Sequence, residues 1–138
     1  MTKIIKFIFS VFIWSTIAST AIANESFYDE ALKKYKEKRY DDAKFLFERN
    51  IVFNPKNVGS YLYLAKIYNK KEDQKKEEQN LDTVLLIEPT NEEAILMSMK
   101  IALEKSNYSK VKDLSVTFVK VCKKLCDEND SIKPVSYT

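Results

Sequence analysis

The sequence predicts an all-α protein built from about three helix-turn-helix units, each 34 residues long. Pro55 and Pro89 lie 34 positions apart, and an asparagine follows each of them two residues later, at Asn57 and Asn91. Apolar residues recur at the same offset, and inside each unit they are three or four positions apart, as on one face of a helix. Proline and asparagine stand where a helix must stop, so they mark the ends of the units.

The pattern predicts six helices in three repeats. We expect the helices at about residues 25–37, 41–53, 58–70, 74–87, 92–105 and 109–125, in repeats 24–57, 58–91 and 92–125. Aligned positions have like character, as in the columns Phe27, Tyr61 and Ile95, and Ala31, Ala65 and Met99. Lys123 replaces the third proline, which predicts a last helix that continues to about Cys126.

Two units carry the spacing of a known repeat. The unit 58–91 contains Tyr61-x-x-Leu64-Ala65-x-x-Tyr68 followed by Pro89. The unit before it contains Ala43-x-x-x-Phe47 followed by Pro55. They resemble the tetratricopeptide repeat, whose pattern is W-x-x-L-G-x-x-Y, then A-x-x-x-F, then P over 34 residues. The resemblance implies a right-handed α-solenoid of stacked hairpins with a concave face.

The chain also departs from the family pattern. Glu77 stands where the family has a small residue, and Asn80 falls on a normally apolar column. The fourth helix, 74–87, is therefore rotated, loosely packed or shifted by a residue. The glycine usual between paired helices is replaced by Lys38, Glu72 and Ser106, which weakens the hairpin signal.

Residues 1–23 have the order of a signal peptide. A basic start with Lys3 and Lys6 precedes an apolar run, and Ala21-Ile22-Ala23 forms an A-x-A cleavage site. The alternative is an uncleaved anchor over residues 4–22, near the roughly 20 residues that span a bilayer. Either way the domain, residues 24–126, is expected to be periplasmic or secreted. The polar tail, residues 127–138, is expected to be disordered.

Composition excludes several function classes. The net charge is +3, of which Lys3 and Lys6 supply +2, so the mature chain is near neutral and lacks the charge excess of nucleic-acid binders. The chain has no histidine, which excludes Ser-His and Cys-His catalysis and His-ligated metal sites. Its single glycine excludes glycine-rich phosphate loops. We therefore predict no enzyme activity, no cofactor and no metal.

Three acidic pairs are candidate catalytic dyads: Asp41–Asp42, Glu77–Glu78 and Glu92–Glu93. Each pair lies near the start of a predicted helix. An acidic side chain there offsets the helix dipole, so the pairs are interpreted as helix-start residues.

In the tetratricopeptide family the first helix of each hairpin lines the concave surface. The resemblance implies a partner-binding groove formed by Tyr28, Leu32, Tyr35, Lys36, Leu62, Tyr63, Lys66, Asn69, Lys70, Leu96, Met97, Lys100 and Leu103. Such a mixture suits an extended or helical segment with apolar side chains and some acidic groups. The alternative is that the leucines are core residues and the lysines a solvated face.

The pair Cys122 and Cys126 is the most distinctive local feature of the chain. An oxidising compartment favours a disulfide, but on an intact helix the two Cβ atoms would be poorly directed. A bridge would therefore strain or end the helix. Pairing with a partner protein and unpaired or metal-binding cysteines remain alternatives.

The sequence thus favours a non-enzymatic scaffold that binds a peptide or protein segment, for assembly or maintenance of an envelope complex. One alternative is a self-associating, homo-oligomeric repeat module. Another is an accessory factor in thiol or cytochrome maturation, suggested only by Cys122 and Cys126. No nucleic acid is expected as a partner, and a membrane only if the N-terminal segment is uncleaved.

Overall fold

A computed structural model of the chain describes residues 23–128. The chain forms two compact units, and the boundary between them follows Phe53. The first unit holds one helical hairpin and the second holds two. Every regular element of residues 23–128 is an α-helix, which confirms the predicted all-α helical repeat fold. The predicted signal peptide, apart from Ala23, and the tail beyond Glu128 lie outside the described residues.

Within residues 23–128, six helices form three hairpins. They are α1 (Ala23–Lys36), α2 (Tyr40–Phe53), α3 (Val58–Lys70), α4 (Gln74–Ile87), α5 (Glu92–Glu104) and α6 (Tyr108–Val121). The first five agree with the predicted ranges to within two residues at each end. The helix α4 occupies the predicted range 74–87, with Glu77 on its buried side.

Polar side chains fix where the helices of the second unit begin. The side chain of Asn57 accepts a hydrogen bond from the backbone N–H of Ser60 at 2.8 Å, and Asn91 accepts one from Ala94 at 3.0 Å. These contacts satisfy N–H groups that a helix leaves without a partner in its first turn. The residues that cap a helix in this way are Asn57, Asp73, Asn91 and Asn107.

The turn inside each hairpin repeats the same backbone geometry. Lys38, Glu72 and Ser106 lie 34 positions apart and have φ of 61°, 58° and 55°. In each turn the N–H of the next residue donates to the carbonyl five residues earlier, at 2.8–3.0 Å. This is the six-to-one hydrogen bond that ends a helix in a left-handed residue, usually glycine. The hairpin turn is therefore kept although the glycine is absent.

Small buried residues let the paired helices approach closely. In the first unit, Ala31, Ala43 and Phe47 are fully buried. In the second unit, Ala65 packs with Leu81 in one of two apolar clusters. The other cluster lies between α5 and α6, and its members are Ile95, Leu96, Met99, Ala102, Val111 and Phe118. Burial of these side chains is the main favourable term for the hairpins.

A charged contact ties α4 to the third hairpin. The carboxylate of Glu78 accepts from the ammonium groups of Lys105 at 2.5 Å and Lys110 at 3.2 Å. The hydrogen bond from Lys105 is the main reason that the pKa of Glu78 lies below its ordinary value, and Lys110 adds to the effect. In the structure, Glu78 therefore contributes to packing between hairpins.

The last helix is shorter than predicted. We expected it to continue to about Cys126, but α6 ends at Val121, and Cys122 has the extended dihedral angles φ −62° and ψ 141°. Cys122 and Cys126 are joined by a disulfide, with their Cα atoms 5.3 Å apart. Cysteines four positions apart on a helix cannot aim their sulfur atoms at each other, so the chain leaves the helix where the bridge begins.

Candidate functional site

The groove residues predicted in the first unit all lie on α1: Tyr28, Leu32, Tyr35 and Lys36. Two of them pack inside their own hairpin. The ring of Tyr28 meets Phe47 edge-on at 5.8 Å, and Tyr35 meets Tyr40 in the same way at 5.4 Å. Leu32 is half-buried and Lys36 is exposed. The two tyrosines therefore bind α1 to α2, which is a role in packing.

On α3, the predicted groove residues are Leu62, Tyr63, Lys66, Asn69 and Lys70. The ammonium group of Lys66 lies 2.8 Å from the carboxylate of Glu93 and 4.6 Å from the centre of the Tyr63 ring. Both contacts attract a cation. Lys66 is thus held on the α5 side of α3, in the second unit, and its charge is already matched by a carboxylate.

Asn69 takes part in a contact that sequence analysis did not anticipate. Its side-chain amide donates to the two carboxylate oxygens of Glu77 at 3.1 and 3.2 Å. Glu77 is only 4% exposed, and desolvation raises its pKa above the ordinary value, although the bond from Asn69 opposes that shift. The amide therefore serves the packing of α4 on α3.

On α5, the four predicted groove residues have different environments. Leu96 is 5% exposed and belongs to the apolar cluster between α5 and α6, so it is a core residue. Met97 and Leu103 are half-buried, and Lys100 is exposed. The accessible groups on this surface of α5 are therefore the charged side chain of Lys100 and the half-buried apolar side chains of Met97 and Leu103.

A cleft of about 620 Å³ opens in the second unit, next to the end of α6. It is lined by Leu62, Glu88, Thr90, Asn91, Glu92, Glu93, Lys120, Val121, Lys123, Lys124 and Leu125. Leu62 is the one lining residue that also belongs to the predicted groove. The cleft therefore joins the α3 surface to the segment after α6, which sequence analysis did not include in the site.

The acidic side chains of the cleft are already engaged. Glu93 pairs with Lys66, and Glu88 accepts a hydrogen bond from the side chain of Asn91 at 3.0 Å. One carboxylate oxygen of Glu92 accepts from the backbone N–H groups of Lys124 and Leu125, both at 3.0 Å. Glu92 thus reaches across to the segment that the disulfide closes.

These backbone donors change the acidity of Glu92. The hydrogen bond from the N–H of Lys124 is the largest cause that lowers its pKa, and the N–H groups of Lys123 and Leu125 act in the same direction. Bonds of this kind stabilise the ionised carboxylate. We interpreted Glu92 as a helix-start acid only, but it also anchors the segment 122–126.

The basic side chains of the cleft are Lys120, Lys123 and Lys124. Among residues 27–128, none of their ammonium groups forms an ion pair with a carboxylate, and all three lysines are exposed. Lys123 attracts Glu92 electrostatically, so the α6 side of the cleft carries three lysine charges against the one carboxylate of Glu92 that reaches it. Sequence analysis missed these lysines because it treated only the first helix of each hairpin as a binding surface.

None of the helices among residues 23–128 is both long enough and apolar enough to cross a membrane. Both cysteines of the chain are used in the disulfide between Cys122 and Cys126.

Comparisons with known proteins bear on the fold. No family model and no curated protein matches the chain. Among solved structures, the chain is similar to the Yersinia enterocolitica type III secretion chaperone SycD, whose structure was solved in complex with a peptide of the translocator YopD. The identity is 14% and the TM-score 0.72, over 86% of this chain and 93% of that chain. At this identity the likeness establishes a shared helical repeat fold, in agreement with the tetratricopeptide resemblance.

Proposed function

We propose that the protein is a non-enzymatic adaptor that binds a segment of another protein on the α3 and α5 surface of its second unit. The observation that carries this proposal is the exposed Lys100 beside the half-buried Met97 and Leu103. Partly covered apolar side chains gain from further burial by a partner, and a neighbouring cation selects acidic groups. SycD, which shares the fold, was solved with a bound peptide, and this supports the same use of the scaffold here.

Preformed helices suit this role. The helices α3 and α5 are held in place by their caps and by two apolar clusters, so the surface is ordered before a partner arrives. Binding then costs little conformational entropy on the side of the protein. The expected partner is an extended or helical segment with apolar side chains and some acidic groups.

The proposed compartment is the periplasm or the exterior of the cell. The order of residue types in positions 1–23 supports export, and a disulfide between Cys122 and Cys126 is the chemistry of an oxidising compartment. In that compartment the adaptor would help to assemble or maintain an envelope complex.

Site-specific cross-linking in the native cells tests the proposal. A photoreactive amino acid is placed at Lys100, and a matched control is placed at Leu86, which is 83% exposed on α4. We expect a covalent adduct with one defined protein from position 100 and none from position 86. Equal labelling from both positions, or no adduct from position 100, would overturn the proposal.

Self-association is a second candidate, favoured by the exposed apolar residues of α6. Val116 is 50% exposed and Val119 is 60% exposed. A terminal hairpin with an apolar outer face is an unfinished end of a repeat stack. Sedimentation at micromolar concentration decides the question: a dimer that Val119→Lys dissociates supports this candidate, and a monomer excludes it.

A further inference from the structure

We propose that the cleft beside the disulfide loop, residues 122–126, is a docking site for an acidic protein segment. In this site Lys120, Lys123 and Lys124 bind carboxylates, and the disulfide holds the loop in its binding conformation. The inference rests on the proposed function only in that the ligand is a protein segment. The cleft itself is a different surface from the one around Lys100.

Charge is the first argument. Each carboxylate lining the cleft already has a partner: Glu93 has Lys66, Glu88 has the amide of Asn91, and Glu92 has backbone N–H groups. Lys120 and Lys124 form no ion pair with a carboxylate of residues 27–128, whereas Lys123 attracts Glu92 electrostatically without a close salt bridge. An incoming acidic segment would meet the three lysines on the α6 side of the cleft, where Glu92 is the nearby lining carboxylate, while the charge of Glu93 is offset by Lys66.

Shape and apolar surface are the second argument. Leu62, Val121 and Leu125 line the same cleft, and each is half-buried. They form the apolar part of the lining of this cleft of about 620 Å³. Interfaces of this kind combine a central apolar anchor with charged groups at the rim. The matching ligand is a segment with one large apolar residue flanked by acidic residues.

The loop supplies the third argument. Two of the three lysines, Lys123 and Lys124, lie inside the segment that the disulfide closes. The N–H groups of Lys124 and Leu125 are held by Glu92, in the first turn of α5. The disulfide and Glu92 together restrict the loop, so its lysines are presented on one side of the cleft. Without the bridge, the loop would have to be ordered during binding, which weakens affinity.

A designed peptide tests the site in the purified full chain. The probe is a fluorescein-labelled peptide with two Glu on each side of a Leu-Phe pair, and its twin has Gln in place of Glu. Fluorescence anisotropy measures Kd with the oxidised protein. We expect the Glu peptide to bind more tightly than the Gln twin, and the difference to shrink as salt is raised.

Paired lysine variants locate the binding surface. The variant Lys123→Gln/Lys124→Gln should weaken binding of the Glu peptide by about tenfold, which is about 1.4 kcal/mol. The control Lys75→Gln/Lys112→Gln removes the same charge from exposed positions outside the cleft lining and should leave Kd unchanged. Equal losses in the two variants, or equal binding of both peptides, would overturn the proposal.

Reduction tests the role of the disulfide. A phosphine attacks one sulfur and breaks the Cys122–Cys126 bond; one water then gives its oxygen to phosphorus and its two hydrogens to the sulfurs, so the products are two thiols and the phosphine oxide. We expect weaker binding after reduction and in Cys122→Ser/Cys126→Ser. Helical circular dichroism must be retained in both, and if it is lost the lysine variants alone decide.

A ligand of the cleft other than an acidic protein segment would give a different result in these binding assays. Binding of a DNA oligonucleotide as tightly as the Glu peptide would overturn the choice of an acidic protein segment. A requirement to delete residues 129–138 before any peptide binds would show that the chain's own tail occupies the cleft. Lys100→Gln separates this site from the surface around Lys100: it should leave the affinity for the Glu peptide unchanged. Failure of cross-linking from position 100 would then overturn the proposed function alone, whereas a loss of peptide affinity in Lys100→Gln would overturn the cleft as a separate site.

Discussion

The side-chain amide of Asn69 donates to both carboxylate oxygens of Glu77, and this pair joins α3 to α4 across the hairpin. Glu77 stands where tetratricopeptide repeats carry a small residue, and it is almost fully buried. A buried carboxylate is costly unless polar groups satisfy it. Asn69, which the resemblance assigned to a partner-binding groove, is that satisfying group.

Asn69→Ala should therefore destabilise the protein. The substitution leaves a buried acceptor without its donor, and we expect the free energy of unfolding to fall by about 1–3 kcal/mol. Urea denaturation followed by circular dichroism measures the loss. Asn80→Ala is the matched control, because the Asn80 amide donates to the carbonyl of Lys76 on its own helix. A loss no larger than that of the control would contradict the role of Asn69.

Glu77 should also give the stability a distinct pH dependence. Desolvation raises its pKa in the folded protein, so the folded state binds a proton more readily than the unfolded state. The stabilisation from protonation is present below the ordinary glutamate pKa of about 4.3 and is lost as the pH rises through the higher folded value. As the pH rises from the ordinary glutamate pKa through the higher folded value, the free energy of unfolding of the native protein should fall relative to that of Glu77→Gln. Parallel pH profiles of the two proteins would contradict the shift.

Glu72→Gly should stabilise the protein. Glu72 has φ 58°, in the left-handed region that disfavours residues with a Cβ atom. Glycine adopts this conformation freely, and we expect a gain of about 0.5–1 kcal/mol in the free energy of unfolding. Lys75→Gly, on the exposed side of α4, should instead cost about 1 kcal/mol. Thermal unfolding of the two variants compares them, and losses in both would show that the turn at residue 72 is not strained.

Glu92→Ala should make the disulfide easier to reduce. Glu92 accepts from two N–H groups of the closed loop, and its removal favours the open, reduced loop. The reduced fraction is measured by thiol alkylation after equilibration in glutathione buffers. Glu93→Ala is the control, because that carboxylate pairs with Lys66 on α3. Equal reduced fractions in the two variants would disprove the coupling.

Local chemistry explains why the repeat was predictable. Asn57 and Asn91 cap helices through residues three positions away, and the turn at Glu72 is closed by hydrogen bonds between near neighbours. Interactions between residues that are close in sequence produce recognisable patterns of residue types along the chain. The period of 34 therefore predicted the number of helices and most of their ends.

Contacts between distant residues were not predictable in the same way. Glu92 and Leu125 are 33 positions apart, and nothing in either neighbourhood indicates that they meet. The same holds for Lys66 and Glu93, which face each other only after α3 and α5 have packed. The end of α6 was missed because Lys123 stands where a proline would have predicted a stop, whereas the bond between the cysteines requires a non-helical segment.

Equivalent caps at Asn57 and Asn91 have a consequence for how the chain could lengthen. The segment 57–90 starts and stops at matching points of two successive hairpins. A tandem duplicate of this segment would connect to the preceding and following segments through turns that the chain already forms, without a new type of loop. Growth by whole hairpins is thus open to this molecule, and each added copy would extend the surface offered by its first helices.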